Sequence, residues 1–509
     1  MNRRNVMVIL CDQLRPDFLP VYGCRAVPCP NIESLAAAGT VFDRAISCCP
    51  VCAPARASMM TGHYPSRHGV WTNDLPFRDG LEYLAHRMNA LGYRTACFGK
   101  MHHFPADDLK GFQFGRLMEE GRLGEGEPYL QWLYGLRPDL VGDGRRWHHC
   151  SNRQFQLDDE LHYEHWIASE AIEHLRRGAA EASAPLFTWV SFQGPHTPYN
   201  PPSKARGSVD PAGLPAPLER EGPVCPVHHY RGAWNPAPGD PEEVMRQRVA
   251  YAESIVHIDG QIGRILGALK ETGMLETTTV IFSADHGDLI GDFGQLEKGP
   301  FSFSGQLNVP LILSNHPSVP CGKRSEVLTG NIDIPGTVLD AAGSEEGLGL
   351  SRSLLEQLPE SSSLRREANF AECAGNMKLV ETERYRFAVY PFTGFRELYD
   401  RREDPRDLNN LSGRPEYREV EMEMMTLVLE HAVICDGIEI GGFDLSPEIQ
   451  GKLRELHPRF DRPGEFQAAF PLMKRAKEAL RRAGIDPNYT NWFKNHRILA
   501  HYGLDFEER

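Results

Sequence analysis

Short apolar runs alternate with longer amphipathic segments along the first three quarters of the chain. The apolar runs predict strands over residues 6–10, 94–98, 186–192, 278–283 and 309–313. Segments with helical periodicity predict helices over residues 31–38, 80–91, 159–177 and 241–269. The first three of these segments are each followed by a glycine that is expected to end the helix: Gly39, Gly92 and Gly178. Strands that alternate with helices are typical of a mostly parallel sheet covered on both faces. We therefore predict an α/β fold in which helices sandwich this sheet.

The pattern changes near residue 365, where the predicted strands become closely spaced. Strands over residues 369–373, 378–383, 386–390 and 397–399, followed by a helix over residues 417–431, indicate a meander with a helix packed on it. We therefore expect an α/β domain over 1–365, a smaller C-terminal α+β subdomain over 366–432 and a helix-rich extension over 433–509. The stretch 197–240 is rich in proline and glycine, and we interpret it as an insertion over the functional site.

Composition narrows the class of partner. The 509 residues carry a net charge of -14, with 24% charged and 41% hydrophobic residues, which is ordinary for a globular protein. A strongly acidic chain disfavours nucleic acid or an anionic membrane as the main partner, although a locally basic pocket can still bind a small anion. No apolar run approaches the ~20 residues of a membrane-spanning helix, so we expect no membrane partner.

Two features bear on cellular location. The apolar run near the start stops at Asp12, which makes it too short for the hydrophobic region of a secretory signal. The twelve cysteines are scattered, and Cys97 lies in a predicted strand, which argues against a secreted disulfide framework. We therefore expect a cytoplasmic protein. The sequence leaves its oligomeric state open, including a homo-oligomer.

Reactive side chains follow several predicted strands at the points where those strands end. In an open α/β sheet the carboxyl ends of the strands form the ligand crevice. Four separate segments therefore deliver polar groups to one edge of the sheet, and we expect these groups to share a site with Cys52. The residues are Asp12 and Gln13, Lys100 and His102, His196, and Asp285 and His286.

The most informative segment reads Cys52-Ala53-Pro54-Ala55-Arg56, with Thr61-Gly62 shortly after it. Cys49 and Cys52 also form a Cys-x-x-Cys pair, which is typical of a redox pair or of half a zinc site. Cys24 and Cys29 could supply the other half of such a site. The residues alone thus leave two classes open: an enzyme with a reactive Cys52, and a non-catalytic cysteine- or zinc-binding protein.

The Cys52–Arg56 segment resembles the Cys-x-Pro-x-Arg signature of type I sulfatases, which belong to the alkaline phosphatase-like superfamily. The resemblance implies an alkaline phosphatase-like form of the α/β fold. It also implies that a formylglycine-generating enzyme oxidises Cys52 to Cα-formylglycine, whose hydrated aldehyde is the nucleophile. A thiolate is a poor leaving group, whereas a geminal diol attacks with one hydroxyl and releases the product when the other collapses to the aldehyde.

The strand-end residues resemble further motifs of this family, over most of residues 5–412. The Asp12-Gln13 pair and the segment Ser283-Ala284-Asp285-His286-Gly287-Asp288 resemble its two metal motifs. The resemblance implies one divalent cation. Mostly oxygen ligands suit Ca²⁺ or Mg²⁺, while an imidazole ligand admits Mn²⁺ or Zn²⁺, and we expect Ca²⁺. The implied ligands are Asp12, Gln13, Cys52, Asp285 and His286.

Other matching elements are Gly99-Lys100-Met101-His102, Pro195-His196-x-Pro198 and Lys298. By analogy, Lys100 and Lys298 contact the ester oxygens, where fixed cations stabilise developing charge. His196 or Lys298 stabilises the leaving alkoxide, and Arg56 holds the modified Cys52. His102 is the base that completes turnover.

These motifs predict that the protein hydrolyses a small anionic sulfate monoester to an alcohol and inorganic sulfate. The rival within the superfamily is a phosphonate monoester or phosphodiester hydrolase, which shares the nucleophile and the metal motifs. In that branch tyrosine and threonine often stand where this chain has Lys100 and His102. The lysine–histidine pair therefore favours a sulfatase.

Overall fold

Two large β-sheets, with two further pairs of short strands (Ala45–Ile46 with Thr329–Gly330 and Cys150–Ser151 with Gln154–Phe155), organise the part of the chain that the structure, a computed structural model, describes. The described residues are 3–436 apart from 142–147, 149, 152, 182–183, 221–234, 374–376 and 392. Both sheets lie within one compact unit, Met1–Cys435. The predicted extension over 433–509 lies almost wholly outside the described residues, as does the middle of the predicted insertion over 197–240. The domain boundaries set from the sequence therefore stay predictions.

The strands and helices have the following bounds. The strands are β1 Asn5–Asp12, β2 Gly39–Phe42, β3 Ala45–Ile46, β4 Arg94–Gly99, β5 Phe114–Leu117, β6 Cys150–Ser151, β7 Gln154–Phe155, β8 Leu186–Pro195, β9 Thr278–Ala284, β10 Leu311–Ser314, β11 Lys323–Ser325, β12 Thr329–Gly330, β13 Asn369–Cys373, β14 Met377–Glu381, β15 Tyr385–Tyr390 and β16 Phe395–Asp400. The helices are α1 Pro30–Ala37, α2 Cys52–Thr61, α3 Pro65–His68, α4 Leu84–Ala90, α5 Pro128–Leu136, α6 Tyr163–Glu181, α7 Pro241–Glu271, α8 Ser304–Leu307, α9 Ile334–Ala341, α10 Leu354–Gln357 and α11 Arg418–Asp436.

The central sheet has eight strands in the order β11-β2-β10-β9-β1-β8-β4-β5. Strand β1 runs parallel to both β8 and β9, and β4 runs parallel to β8 and β5. Helices α6 and α7 pack on β8, while α2, α4 and α9 pack on one another and α4 also contacts β4. This arrangement confirms the predicted fold class, a mostly parallel sheet flanked by helices.

Strand β10 departs from the parallel pattern that the alternation of strands and helices suggested. It runs antiparallel to both of its neighbours, β9 and β2. The reason lies in its connection, because residues 285–310 contain only a short 3₁₀ turn and the four-residue helix α8, and so lack the crossover helix that usually joins parallel strands. That connecting loop carries several of the predicted site residues.

The helix bounds differ most from those predicted in α6, α4 and α11, and α6 also begins later than predicted, at Tyr163. Helix α6 continues past Gly178 to Glu181, because a Cβ at Gly178 would lie 2.6 Å from Cδ1 of Leu186, so the glycine allows close packing on β8 and does not end the helix. Helix α4 begins only at Leu84, since Tyr83 before it is extended. Helix α11 runs beyond residue 431 to Asp436, since neither glycine nor proline interrupts that segment.

The second sheet is antiparallel, with the order β13-β14-β15-β16. Side chains from α11 pack on its apolar face, where Met424 and Val428 join Val380, Phe387 and Leu398 in one buried cluster. This agrees with the predicted meander and helix. None of the helices in the described part of the chain has the length and apolar character needed to span a bilayer.

Candidate active site

Cys52 is the first residue of α2, a helix that is buried along its whole length. Val51 before it is extended, and the backbone N–H of Ala53 donates to Oδ1 of Asn73 at 3.1 Å. The side chain of a separate loop thus satisfies one of the N–H groups that a helix start leaves unpaired. Residue 52 is therefore held on a rigid element, with Arg56 one turn later on the same side.

The two carboxylates predicted to bind a metal come from neighbouring strands. Asp12 ends β1, and Asp285 follows β9, which runs parallel beside β1. The backbone N–H of Gln13 donates to Oδ1 of Asp285 at 2.9 Å and ties the two strand ends together. Because parallel neighbours end at the same edge, the sheet itself brings both acids within reach of one ion.

Four side chains form a cluster of potential metal ligands at this edge. One ligand atom from each of Asp12, Cys52, Asp285 and His286 lies within 4.8 Å of the others, and all four residues are buried. Sγ of Cys52 is 3.6 Å from Oδ1 of Asp12 and 3.1 Å from Nε2 of His286. Nδ1 of His286 lies 2.8 Å from the carbonyl oxygen of Gly287, which can only accept. Nδ1 therefore carries the proton, and the lone pair of Nε2 faces the cluster.

Arg56 connects the two carboxylates. Its Nε donates to Oδ2 of Asp285 at 2.8 Å, and its Nη2 donates to Oδ2 of Asp12 at 3.1 Å. Its Nη1 donates to Oγ of Ser191 at 2.8 Å and to the carbonyl oxygen of Lys100. The guanidinium therefore orients both acids, and one N–H of Nη2 is left for a further acceptor.

Lys100 is a fully buried cation beside the cluster. Its Nζ lies 2.7 Å from Oδ2 of Asp12 and 2.8 Å from Oε1 of Glu120. Burial alone would lower the pKa of Lys100, but the two carboxylates outweigh burial and hold this pKa above its usual range. The ammonium therefore stays charged, with a third N–H available for an anionic ligand.

Lys298 and His196 contact each other beside the same cluster. Nζ of Lys298 lies 2.5 Å from Nε2 of His196 and 2.5 Å from Oε1 of Gln13. Nδ1 of His196 donates to the carbonyl oxygen of Thr197 at 2.8 Å, so Nε2 accepts from the ammonium. Nε2 of Gln13 donates to Oδ2 of Asp288 at 2.5 Å. The amide oxygen of Gln13 is thus turned to Lys298, and its role as a metal ligand stays a prediction.

The ring of His102 is buried, and its Nδ1 has no hydrogen-bond partner among the described residues. The backbone of His102 is left-handed, with φ of 58°, and its N–H donates to Oε1 of Glu119 at 3.0 Å. Burial first, and then the positive charges of Arg122 and Lys100, lower the pKa of His102 well below its usual range. The imidazole is therefore neutral near pH 7 and able to accept a proton.

The structure brings the predicted site residues together at one edge of the sheet. Their chemical roles stay predictions. Glu120 was not identified from the sequence. This residue follows the short strand β5, and that strand is the only feature of the sequence that could have placed Glu120 at the same edge of the sheet. The residues brought together are Asp12, Gln13, Cys52, Arg56, Lys100, His102, His196, Asp285, His286 and Lys298.

The zinc alternative finds no support in the geometry. Among the described residues, the clusters of potential metal ligands contain Cys52 or Cys435 but none of Cys24, Cys29 and Cys49. Cys24 and Cys29 belong to the large apolar core, whereas Cys49 packs in a second cluster. Apolar burial also raises the pKa of the Cys29 and Cys49 thiols, which disfavours the thiolate that zinc requires.

Comparison with known proteins agrees with this geometry. The sulfatase family model matches residues 4–344, and a model of the C-terminal part of N-sulphoglucosamine sulphohydrolase matches residues 291–433. A phosphonate monoester hydrolase of Agrobacterium radiobacter is a structural neighbour with a TM-score of 0.71 and 26% identity, covering 84% of this chain and 96% of its own.

Two curated relatives are sulfatases by name. An arylsulfatase of Clostridium perfringens is 31% identical over 454 residues, which are 82% of this chain and 91% of the relative. A choline-sulfatase of Rhizobium meliloti is 29% identical over 435 residues, which are 81% of this chain and 83% of the relative. With a matching family model over most of its length, the chain belongs to the sulfatase family and is a sulfuric ester hydrolase.

Proposed function

We propose that this protein hydrolyses a small sulfate monoester to an alcohol and inorganic sulfate, with formylglycine at position 52 and one Ca²⁺ ion. The observation that carries the proposal is the position of Sγ of Cys52, within 4.8 Å of the ligand atoms of Asp12, Asp285 and His286. In the matured protein an oxygen of the hydrated aldehyde would take the place of this sulfur. A sulfatase-maturing enzyme is therefore an implied partner.

The side chains around Cys52 fit a divalent cation. Two carboxylate oxygens, one imidazole nitrogen and the side chain of residue 52 form a buried, mostly oxygen-donor set, which suits Ca²⁺. Asp12, Asp285 and His286 would hold the ion with residue 52, and Gln13 lies close enough to be tested as a further ligand. A bound cation would supply positive charge that stabilises the nucleophilic oxygen and an oxygen of the ester.

The residues outside this cluster would bind and orient the anion. Lys100 keeps its charge through Asp12 and Glu120, so its remaining N–H can donate to a sulfate oxygen. Lys298 presents its ammonium to Nε2 of His196. A proton held between these two groups is placed to stabilise or protonate the leaving alkoxide.

His102 would act as the base in the second half of turnover. Its imidazole is neutral, so one ring nitrogen keeps a lone pair for the proton released when product leaves residue 52, and its Nδ1 has no partner among the described residues. Lys100 and Arg56 are among the positive charges that act on His102. Those charges favour an anion beside it and keep its own ring neutral.

Phosphonate monoester hydrolysis is the second candidate, and the structural neighbour from Agrobacterium radiobacter favours it. The two candidates are separated by kcat/KM for a sulfate monoester, a phosphodiester and a phosphonate monoester that share one leaving group. We expect the sulfate monoester to be the best substrate, because Lys100 and His102 stand at the positions that differ between the branches. Faster hydrolysis of either phosphorus ester would assign the protein to the other branch.

Removal of the metal tests the cation. We expect chelation to abolish sulfate ester hydrolysis and Ca²⁺ to restore it, since the buried carboxylates lose their counter-charge without an ion. Ca²⁺ should also raise the Tm, because a ligand that binds only the folded state stabilises it. Full restoration by Mn²⁺ or Zn²⁺ but not by Ca²⁺ would contradict the proposed metal.

The choice of alcohol is tested by comparing aryl sulfates, choline sulfate and sulfated sugars as substrates. The relatives are named for aryl sulfates and for choline sulfate, and these are the first compounds to compare.

We also propose a cytoplasmic location, which the scattered cysteines support. Fractionation of cells that express the native gene, with activity and protein followed in each compartment, tests the location.

A further inference from the structure

Glu120 places a carboxylate among the cations assigned to the ester. Its Oε1 lies 2.8 Å from Nζ of Lys100, and its Oε2 accepts from Nη1 of Arg122 at 2.7 Å. Nε2 of Gln193 donates to Oε1 at 3.1 Å, and Nδ1 of His196 lies 3.8 Å from the same oxygen. A single negative group therefore contacts Lys100 and lies beside His196.

The carboxylate of Glu120 is charged and fixed. Burial alone would raise the pKa of Glu120, but Lys100 and Arg122 outweigh burial and hold this pKa well below its usual range. The backbone is left-handed, with φ of 57°, a conformation that a residue with a side chain rarely adopts. The side chain is 12% exposed, so the group lies at the boundary between the buried cluster and solvent.

A fixed negative charge at this point acts differently on different esters. A sulfate monoester carries one negative charge, whereas a phosphate monoester carries close to two above about pH 6. Repulsion from a carboxylate grows with the charge of the ligand, and it is strong where water is excluded. A site with Lys100, Lys298 and a divalent cation alone would favour the doubly charged ester.

We propose that Glu120 is a specificity-determining residue that favours singly charged sulfate esters over doubly charged phosphate monoesters. The inference rests on the proposed function, because it takes Lys100 and His196 as the groups that contact the ester. Glu120 also holds Lys100 in place. A purely structural role of that kind predicts equal losses for both esters, whereas the charge effect predicts a change in their ratio.

The test uses three variants of the Ca²⁺-loaded enzyme and two substrates with one leaving group, 4-nitrophenyl sulfate and 4-nitrophenyl phosphate. In Glu120→Gln, which keeps the shape and removes the charge, we expect the ratio of kcat/KM for sulfate over phosphate to fall on the order of tenfold. Glu120→Asp keeps the charge and should keep the ratio within about threefold. Glu125→Gln removes an exposed carboxylate from the same loop and should leave the ratio unchanged.

Binding provides a measurement that does not depend on turnover. Calorimetric titration with phenyl phosphate and phenyl sulfate is done in a Cys52→Ala background, which removes turnover, with and without Glu120→Gln. Loss of the Glu120 charge should tighten binding of the phosphate relative to the sulfate. Thermal unfolding verifies that each variant is folded. Equal changes for both esters, in turnover and in binding, would overturn the role of Glu120. A wild-type enzyme without sulfatase activity would instead overturn the proposed function, and the titration would still test Glu120.

Discussion

Replacement of Cys52 by alanine is expected to lower kcat for sulfate ester hydrolysis on the order of 10⁴-fold or more, as loss of a nucleophile does in other hydrolases. The side chain has the largest role in the proposed chemistry, because it supplies both the nucleophile and a ligand atom of the buried cluster. Folding should persist, since alanine removes only the small reactive end of one side chain from the first turn of α2, at a cost of about 1 kcal/mol. Initial rates with 4-nitrophenyl sulfate and the Tm of both proteins provide the measurement.

Cys49 offers a matched control for this variant. It belongs to the same Cys-x-x-Cys pair and is equally buried, but it packs in an apolar cluster with Cys373 and lies outside the cluster of metal ligands. Cys49→Ala should therefore keep near-normal activity. Full activity in Cys52→Ala would rule out the formylglycine mechanism. Loss of activity in both variants would favour a role for the cysteine pair.

The maturation state of Cys52 is measurable in the same preparations. Formylglycine leaves its residue about 18 Da lighter than cysteine, because oxidation replaces the thiol group by an aldehyde oxygen. Activity should rise in proportion to the fraction of converted peptide when a maturing enzyme is co-expressed. Activity that does not follow this fraction would show that the thiol itself carries the reaction.

The fold and much of the site follow from one feature of the sequence. Strands buried on both faces have nearly continuous apolar sequences, so β1, β4, β8 and β9 could all be predicted from the sequence. These four strands are neighbours in the sheet, in the order β9-β1-β8-β4. The reactive residues after them could therefore be placed at one edge without knowledge of any contact.

Strands at the edges of the sheet were harder to predict from the sequence. Strand β5, Phe114–Leu117, contains a glycine and an arginine and is partly exposed, so it lacks a continuous apolar run. Because strand β5 was not predicted, Glu120 could be identified only as an acidic residue in a loop, and the sequence did not indicate that it contacts Lys100. Edge strands gain their stability from a neighbour, which a one-dimensional pattern does not show.

The hydrogen-bond partners of Arg56 could not be predicted from the sequence either. The motif placed this arginine one turn after Cys52, and by analogy it was expected to hold the modified residue. Its hydrogen bonds to Asp12 and Asp285 depend on how α2 packs against the sheet edge. Arg56 therefore bridges two carboxylates, and only the remaining N–H of Nη2 is available for residue 52.

Replacement of His102 by alanine is expected to lower steady-state kcat by about 10²–10⁴-fold, the usual contribution of a general base. The loss should fall on the second half of turnover, because the cations and the nucleophile that act in the first half are unchanged. The variant should release about one equivalent of alcohol per formylglycine site in a rapid burst and then stop. Sulfur should remain on the peptide that contains residue 52, which mass spectrometry can detect.

His103 is the matched control, since its ring is also buried and burial lowers its pKa to about 4. Its Nδ1 lies 3.2 Å from the carbonyl oxygen of Asp108, and its ring packs edge-on against Phe77 at 5.6 Å, so it serves the packing beside the site. His103→Ala should therefore lower the Tm while the remaining folded enzyme shows no burst. A His102→Ala enzyme that turns over at the normal rate, or one that loses the burst as well, would show that His102 is not the base of the second step.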